Sequence, residues 1–160
     1  MQKKVSALIA VRSGSVRVKN KNIRTFNDST LLELKIKQLQ SVKEINDVVV
    51  NSNSDEMLSI AKNLGAKTVK RDDYYASNTI SMSSVFEHMA KNMDCENILY
   101  ANCTNPLVST NSYSDAIRIF LNNTSVYDSL GSCHDIKEFL YLDGKALNYD
   151  PMNQPRSQDL

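Results

Sequence analysis

Glycine, proline, cysteine and histidine are scarce in this chain: four, three, three and two residues among 160. The few glycines build no glycine-rich phosphate cradle, since neither Gly-x-x-x-x-Gly-Lys-Ser/Thr nor Gly-x-Gly-x-x-Gly occurs. Cys95, Cys103 and Cys133 have no metal-ligand spacing and cannot all pair, which fits a reducing cytosol. They read as small buried hydrophobes rather than catalytic thiols. His88 and His134 stand too far apart in sequence to suggest a metal site. No apolar run approaches membrane-spanning length, and the N-terminus lacks the apolar core of a signal peptide. A cytoplasmic protein with no membrane partner is therefore expected. Charge of neither sign prevails: 19 Lys and Arg against 18 Asp and Glu leave +1, which argues against a general nucleic-acid binder. No aromatic-rich strand is present to stack RNA bases.

A hydrophobic content of 41 % over this length is enough for one domain with a real core. No linker, repeat or low-complexity segment interrupts it. The chain is organised around Val5 to Arg24. Val5, Ala7, Leu8, Ile9, Ala10 and Val11 are apolar on both alternating faces, as in a strand buried mid-sheet. A small-residue loop follows (Ser13, Gly14, Ser15), and then Arg12, Arg17, Lys19, Lys21 and Arg24 accumulate with no acid among them. A run of cations alone mostly faces water. Placed directly after a buried strand, it suits a polyanion held at the carboxyl end of a sheet.

Further along, Thr30 and Glu33 have capping-box spacing, and Leu31, Leu34, Ile36 and Leu39 predict a helix over 30–42. Asp47 to Val50 reads as a strand, Asp55 to Leu64 as a helix stopped by Gly65, and Lys67 to Lys70 as a third strand. A helix is expected over 81–93 with Val85, Met89 and Phe86 inward, then a buried strand over 97–101 and a helix over 111–121. A strand over 126–133 and a hairpin over 138–149, turning at Asp143-Gly144, complete the reading. Alternation of this kind predicts an α/β fold with a Rossmann-like, mostly parallel sheet covered by helices on both faces. Ligands in such sheets bind beyond the carboxyl ends of the strands. The segments 12–24, 51–55, 71–79 and 102–109 thus form one candidate site.

Within it, Arg12 and Lys21 can neutralise a phosphate chain, and amides near Ser13 to Ser15 can hold part of it. Arg71 offers a planar donor to a base, ribose or phosphate, or else pairs on the surface with Asp72 or Asp73. Ser81 to Ser84 offer hydroxyls or simply start a helix. Asn102 to Pro106 sit on the ligand edge or form a structural turn.

Val11-Arg12-Ser13-Gly14-Ser15, followed by Lys21-Asn22-Ile23-Arg24, resembles the signature loop of the acylneuraminate cytidylyltransferases, the CMP-sialic acid synthetases and their relatives. Ala76-Ser77-Asn78-Thr79 after Arg71 is similar to that family's R-P-x-x-L-A-x-D-T, and Asn102-Cys103-Thr104-Asn105-Pro106-Leu107 to its Q-P-T-S-P-L. Gln154-Pro155-Arg156-Ser157-Gln158-Asp159-Leu160 is similar to its Q-P-R-x-x-L. The resemblance implies a fold of the nucleotide-diphospho-sugar transferase type. The expected enzyme joins CMP from CTP to a sialic-acid-like 2-keto sugar acid with Mg2+ assistance and releases pyrophosphate. Kdo, legionaminic or pseudaminic acid are alternative acceptors, and a nucleotide-binding fragment without turnover is the alternative in kind.

By the same resemblance Arg12 and Lys21 are the expected catalytic cations. Arg12, Ser15, Lys21, Asn22, Arg71 and Ser83 are expected to bind the nucleotide, and Asn102 and Lys137 the sugar acid. Residues 1–160 read as one cytidylyltransferase-like domain, with 134–150 a hairpin arm that makes a homodimer. Asn53 and Asn78 stand where the family has Asp, Met82 where Ser is common, and Val108 where Arg is expected. The family's further strand and metal-binding aspartates are expected beyond Leu160.

Overall fold

The computed structural model describes residues 4–15, 17–134 and 136–159. Val16, Asp135 and Leu160 lie outside them, and with these go one residue each of the cationic loop, the expected hairpin arm and the terminal motif. The chain divides into two compact units, Met1–Asp128 and Ser129–Leu160.

The first unit opens with β1 (Val5–Ala10), whose residues are buried on both alternations up to Ile9. A two-residue ladder pairs β2 (Thr25–Phe26) with β3 (Ser29–Thr30) across a turn in which Asn27 has φ 54°. This ladder was not evident in the sequence. Then α1 (Leu31–Gln40) starts where Thr30 Oγ1 accepts from the Glu33 amide at 3.2 Å. The Glu33 carboxylate accepts from the Ser29 hydroxyl, one residue before the cap, also at 3.2 Å. The buried face of α1 is Leu32, Lys35, Ile36 and Leu39, so Leu32 and a lysine occupy the stripe in which Leu34 was expected.

β4 (Asp47–Ser52) runs two residues further than its apolar stretch. α2 (Asp55–Asn63) is capped by Ser54 and ends before Gly65, whose φ of 76° an L side chain rarely adopts. β5 (Lys67–Lys70), α3 (Met82–Lys91), β6 (Asn97–Tyr100) and α4 (Thr110–Asn122) follow, and Ser81 and Ser109 cap the last two helices.

The sheet has the order β5-β4-β1-β6, and every pairing in it is parallel. Ala7, Ile9 and Val11 pack with Leu32, Ile36 and Leu39 of α1 and with Met57 and Ala61 of α2. Leu8, on the other alternation, packs with Val85 and Met89 of α3. Helices therefore cover both faces, as the alternation of β1 requires.

Three sequence expectations fail in detail. Residues 126–133 form no strand: the backbone there is turn, bend and irregular, and Val126 and Tyr127 are exposed. β6 is half-exposed rather than buried, since it is the edge of the described sheet. Phe86 points outward and meets Tyr100 edge-on, with ring centroids 5.3 Å apart.

The second unit carries the expected hairpin, β7 (Tyr141–Leu142) paired antiparallel with β8 (Lys145–Ala146). Asp143 and Gly144, at φ 50° and 75°, form its turn. Phe139, Tyr141 and Tyr149 stack edge-on beside it.

Candidate functional site

The chain leaves β1 with β4 on one side and β6 on the other, so the carboxyl end of β1 is the point where the strand order reverses. That is where an open parallel sheet forms its crevice. A cavity of about 870 Å³ lies there. Arg12, Ser15, Lys21, Asn22, Arg71 and Asn102 line it, drawn from three of the four expected segments, while no residue of 51–55 does. Ser83 does not: it sits exposed in the first turn of α3, and Met82 lines the wall instead. Lys137 is exposed in the second unit.

Arg71 is the deepest of these groups, 5 % exposed. Its Nε donates to Asn51 Oδ1 at 2.5 Å and its Nη2 to the Asn51 carbonyl at 2.9 Å, with the Met89 sulfur at 3.8 Å. Neither Asp72 nor Asp73 pairs with it, so the surface ion pair is ruled out. Burial pushes its pKa below that of a free arginine, against the opposing pull of Tyr100, and the neighbouring Arg12 lowers it further. A guanidinium nevertheless stays charged at any physiological pH.

Arg12 is held in the same manner. It donates to the Ala76 carbonyl and, at 2.6 Å, to Asn78 Oδ1. The partners of both arginines are neutral dipoles, which satisfy the N–H groups without cancelling the charge. Arg17 and Lys21 add two more cations to the lining, and among the described residues no carboxylate reaches it. Such a cavity stores uncompensated positive charge in a partly desolvated place, and this favours a polyanionic ligand.

The far wall is fixed by a second buried cation. Lys35 is 1 % exposed. It gives its three protons to Gln38 Oε1 at 2.5 Å, the Asn105 carbonyl at 2.8 Å and the Tyr113 hydroxyl at 2.8 Å. Gln38 reaches on to the Val108 carbonyl, so α1 clamps the turn that follows Asn102, Cys103 and Thr104. Burial lowers the pKa of Lys35, while Cys103 pulls it the other way. Burial pushes the Cys103 thiol up to about 12 despite Lys35 and Lys21, so it is an inert protonated wall. The expectation of burial holds for Cys103 alone, because Cys95 is half-buried and Cys133 is exposed outside the sheet. Tyr75, another lining residue, is backed by His88 in a stack of 3.8 Å between centroids.

Sequence reasoning did not single out Asn51 or Lys35. The available signals were an asparagine closing an apolar strand and a lysine inside the apolar stripe of α1. No fit to a resident Mg2+ is found. That ion takes oxygen ligands, with carboxylates prominent, and among the described residues no group of three acids, histidines or cysteines can share one.

A parallel sheet with an anion-ready crevice at its switch point defines an open, doubly covered α/β domain with a site suited to a polyanion. Residues 6–154 match the family described as cytidylyltransferase, and the chain belongs to that family. It is 25 % identical over 162 residues to the N-acylneuraminate cytidylyltransferase of Oncorhynchus mykiss, covering 97 % of this chain and 38 % of that one. It is 27 % identical over 164 residues to the pseudaminic acid cytidylyltransferase of Campylobacter jejuni, covering 96 % of this chain and 71 % of that protein. The structure of a CMP:2-keto-3-deoxy-manno-octonic acid synthetase complexed with CTP matches with a TM-score of 0.67 at 11 % identity. That match covers 76 % of this chain and 49 % of the other and speaks for the fold. The chain thus spans 38 % of the Oncorhynchus mykiss enzyme and about half of the structural match.

Proposed function

We propose that the chain is the CTP-binding part of a cytidylyltransferase that joins CMP to a 2-keto sugar acid of the sialic type. In that reaction the anomeric hydroxyl oxygen attacks the α-phosphorus of CTP. A new P–O bond forms, the bond to the β-phosphate oxygen breaks, pyrophosphate leaves with the electron pair, and the hydroxyl proton is lost. Most of the catalytic demand is positioning plus stabilisation of charge on the phosphate oxygens.

Arg12 and Lys21 would meet the triphosphate, Ser15 and the amides of its loop would orient it, and Asn22 would lie near the α-phosphate or the cytidine. Arg71, planar and buried, would face the cytidine, and Asn102 the acceptor. Ser83, by resemblance a base contact, would need to turn inward from its exposed position. The reading extends to a cytoplasmic homodimer in which the hairpin arm lends Lys137 to the partner's sugar-acid site. Magnesium belongs to the reaction by resemblance, and none of the described residues is assigned to it.

The observation that carries this reading is the pair Arg71 and Arg12, both bonded to neutral groups and both lining a cavity that, among the described residues, no carboxylate reaches. The same lack of acidic ligands supports a second reading, a domain that binds CTP without turnover. A pyrophosphate-release assay with CTP, Mg2+ and sialic, pseudaminic, legionaminic or Kdo acceptors separates the two. Release with any of them supports the transferase; CTP binding with no release supports the second reading. Absence of CTP binding contradicts both.

A further inference from the structure

Asn53 follows the last residue of β4, and its side-chain amide makes three hydrogen bonds. Its Oδ1 accepts from the Ser13 backbone N–H at 3.0 Å. Its Nδ2 donates to Ser13 Oγ and to Asp73 Oδ1, each at 2.9 Å. Its backbone carbonyl takes Lys70 Nζ at 2.9 Å, and Lys70 also meets Asp55 at 2.5 Å. The segments that follow β1, β4 and β5 therefore converge on one primary amide. The tie from Arg12 to Ala76 and Asn78 joins the same first and third segments, so the cationic loop is braced at Arg12 and at Ser13.

The Ser13 amide needs an acceptor and the Asp73 carboxylate a donor, and an amide supplies both. A carboxylate at this place would face the Asp73 oxygen with no hydrogen between them, and the repulsion would draw it off the Ser13 amide. The charged groups around Asn53 are Asp73 and Lys70 directly, with Asp55 and Arg12 behind them.

We infer that Asn53 is the positioning residue of the cationic loop: its amide fixes the turn at Ser13 against Asp73 and so sets where Arg12 stands in the crevice. Asn53 itself lies outside the cavity lining and acts through Ser13 and Asp73. The inference rests on the cytidylyltransferase reading only for its ligand readout.

The test uses the full chain and two measurements, amide hydrogen exchange at Ser13 to Ser15 and the Kd for CTP. In Asn53→Asp, exchange at Ser13 is expected to quicken and CTP to bind about tenfold more weakly, the size of effect that follows from an unsatisfied and repelled polar pair. Adding Asp73→Asn supplies the missing donor and should restore both readings toward wild type. A charge-matched control, Asp115→Asn on α4 in the Asn53→Asp background, should restore neither. Asp73→Ala, which removes a single exposed bond, should give a smaller quickening at Ser13 and decides the matter should Asn53→Asp fail to fold. Unchanged Ser13 exchange in Asn53→Asp and Asp73→Ala overturns the inference, and so does equal rescue by Asp115→Asn. If the wild type binds no CTP, the nucleotide reading falls while the exchange arm still decides the role of Asn53.

Discussion

Arg71 shows how much a single side chain can commit a fold to a ligand. Burying a charge without an opposite charge is expensive, and here Asn51 offsets part of that cost through hydrogen bonds alone. A ligand anion would supply the rest. Arg12 and Lys21 are less buried and carry less of the fold, so their removal separates binding from stability. Arg12→Ala and Lys21→Ala are each expected to weaken CTP binding by about 1.5–3 kcal/mol, the range for charge-assisted hydrogen bonds, with little change in Tm. Isothermal titration and a melting curve on the same samples check this, and unchanged affinity in both variants removes the loop from the site. Cys103 offers a second test at this scale. With its thiol pushed up to about 12, it should resist iodoacetamide at mildly alkaline pH in the folded chain, while exposed Cys133 is labelled. Peptide mapping that finds Cys103 labelled as fast as Cys133 would contradict its place in the wall.

At the scale of elements, Asp47 joins three parallel strands at their starting ends. Its carboxylate takes Lys67 of β5 at 2.9 Å and Lys4, just before β1, at 3.5 Å. The Lys67 hydrogen bond is the main reason its pKa lies below the usual aspartate value, with burial opposing and Lys4 adding to the fall. A depressed folded pKa means that the stabilisation is present above the unfolded value and is lost as pH falls through the folded one. Asp47→Asn should therefore be less stable than wild type near neutral pH and converge with it in acid. Urea curves that stay parallel down to the acid limb would contradict this.

The elements themselves were largely legible in the sequence. The apolar run Val5–Val11, the Thr30–Glu33 cap, the Gly65 stop and the Asp143-Gly144 turn each act locally, so local reading finds them. What escaped depends on distant partners. Lys35 is buried because residues about seventy positions away supply its acceptors, and Asn51 matters because Arg71 comes back to it across the β4–β5 pair. Residues 126–133 have strand-forming composition, yet a strand exists only where an edge receives it. At the site, the cations of the first loop were readable from charge and position. Ser83 was placed by resemblance, and the cap geometry at Ser81 turns it outward, where its neighbour Met82 takes the wall.

For the whole molecule, the sheet order sets the argument. A strand order that reverses at β1 brings the loops after β1, β5 and β6 to one crevice, and among the described residues its lining holds cations and neutral polar groups and no acid. CTP is titrated into the isotopically labelled full chain and backbone amide shifts are followed, with ATP as the comparison nucleotide. The account predicts saturable shifts with CTP at residues 12–15, 20–22, 71–80 and 102–104, and weaker ones with ATP. Shifts confined to other surfaces, or none at millimolar CTP, would contradict it.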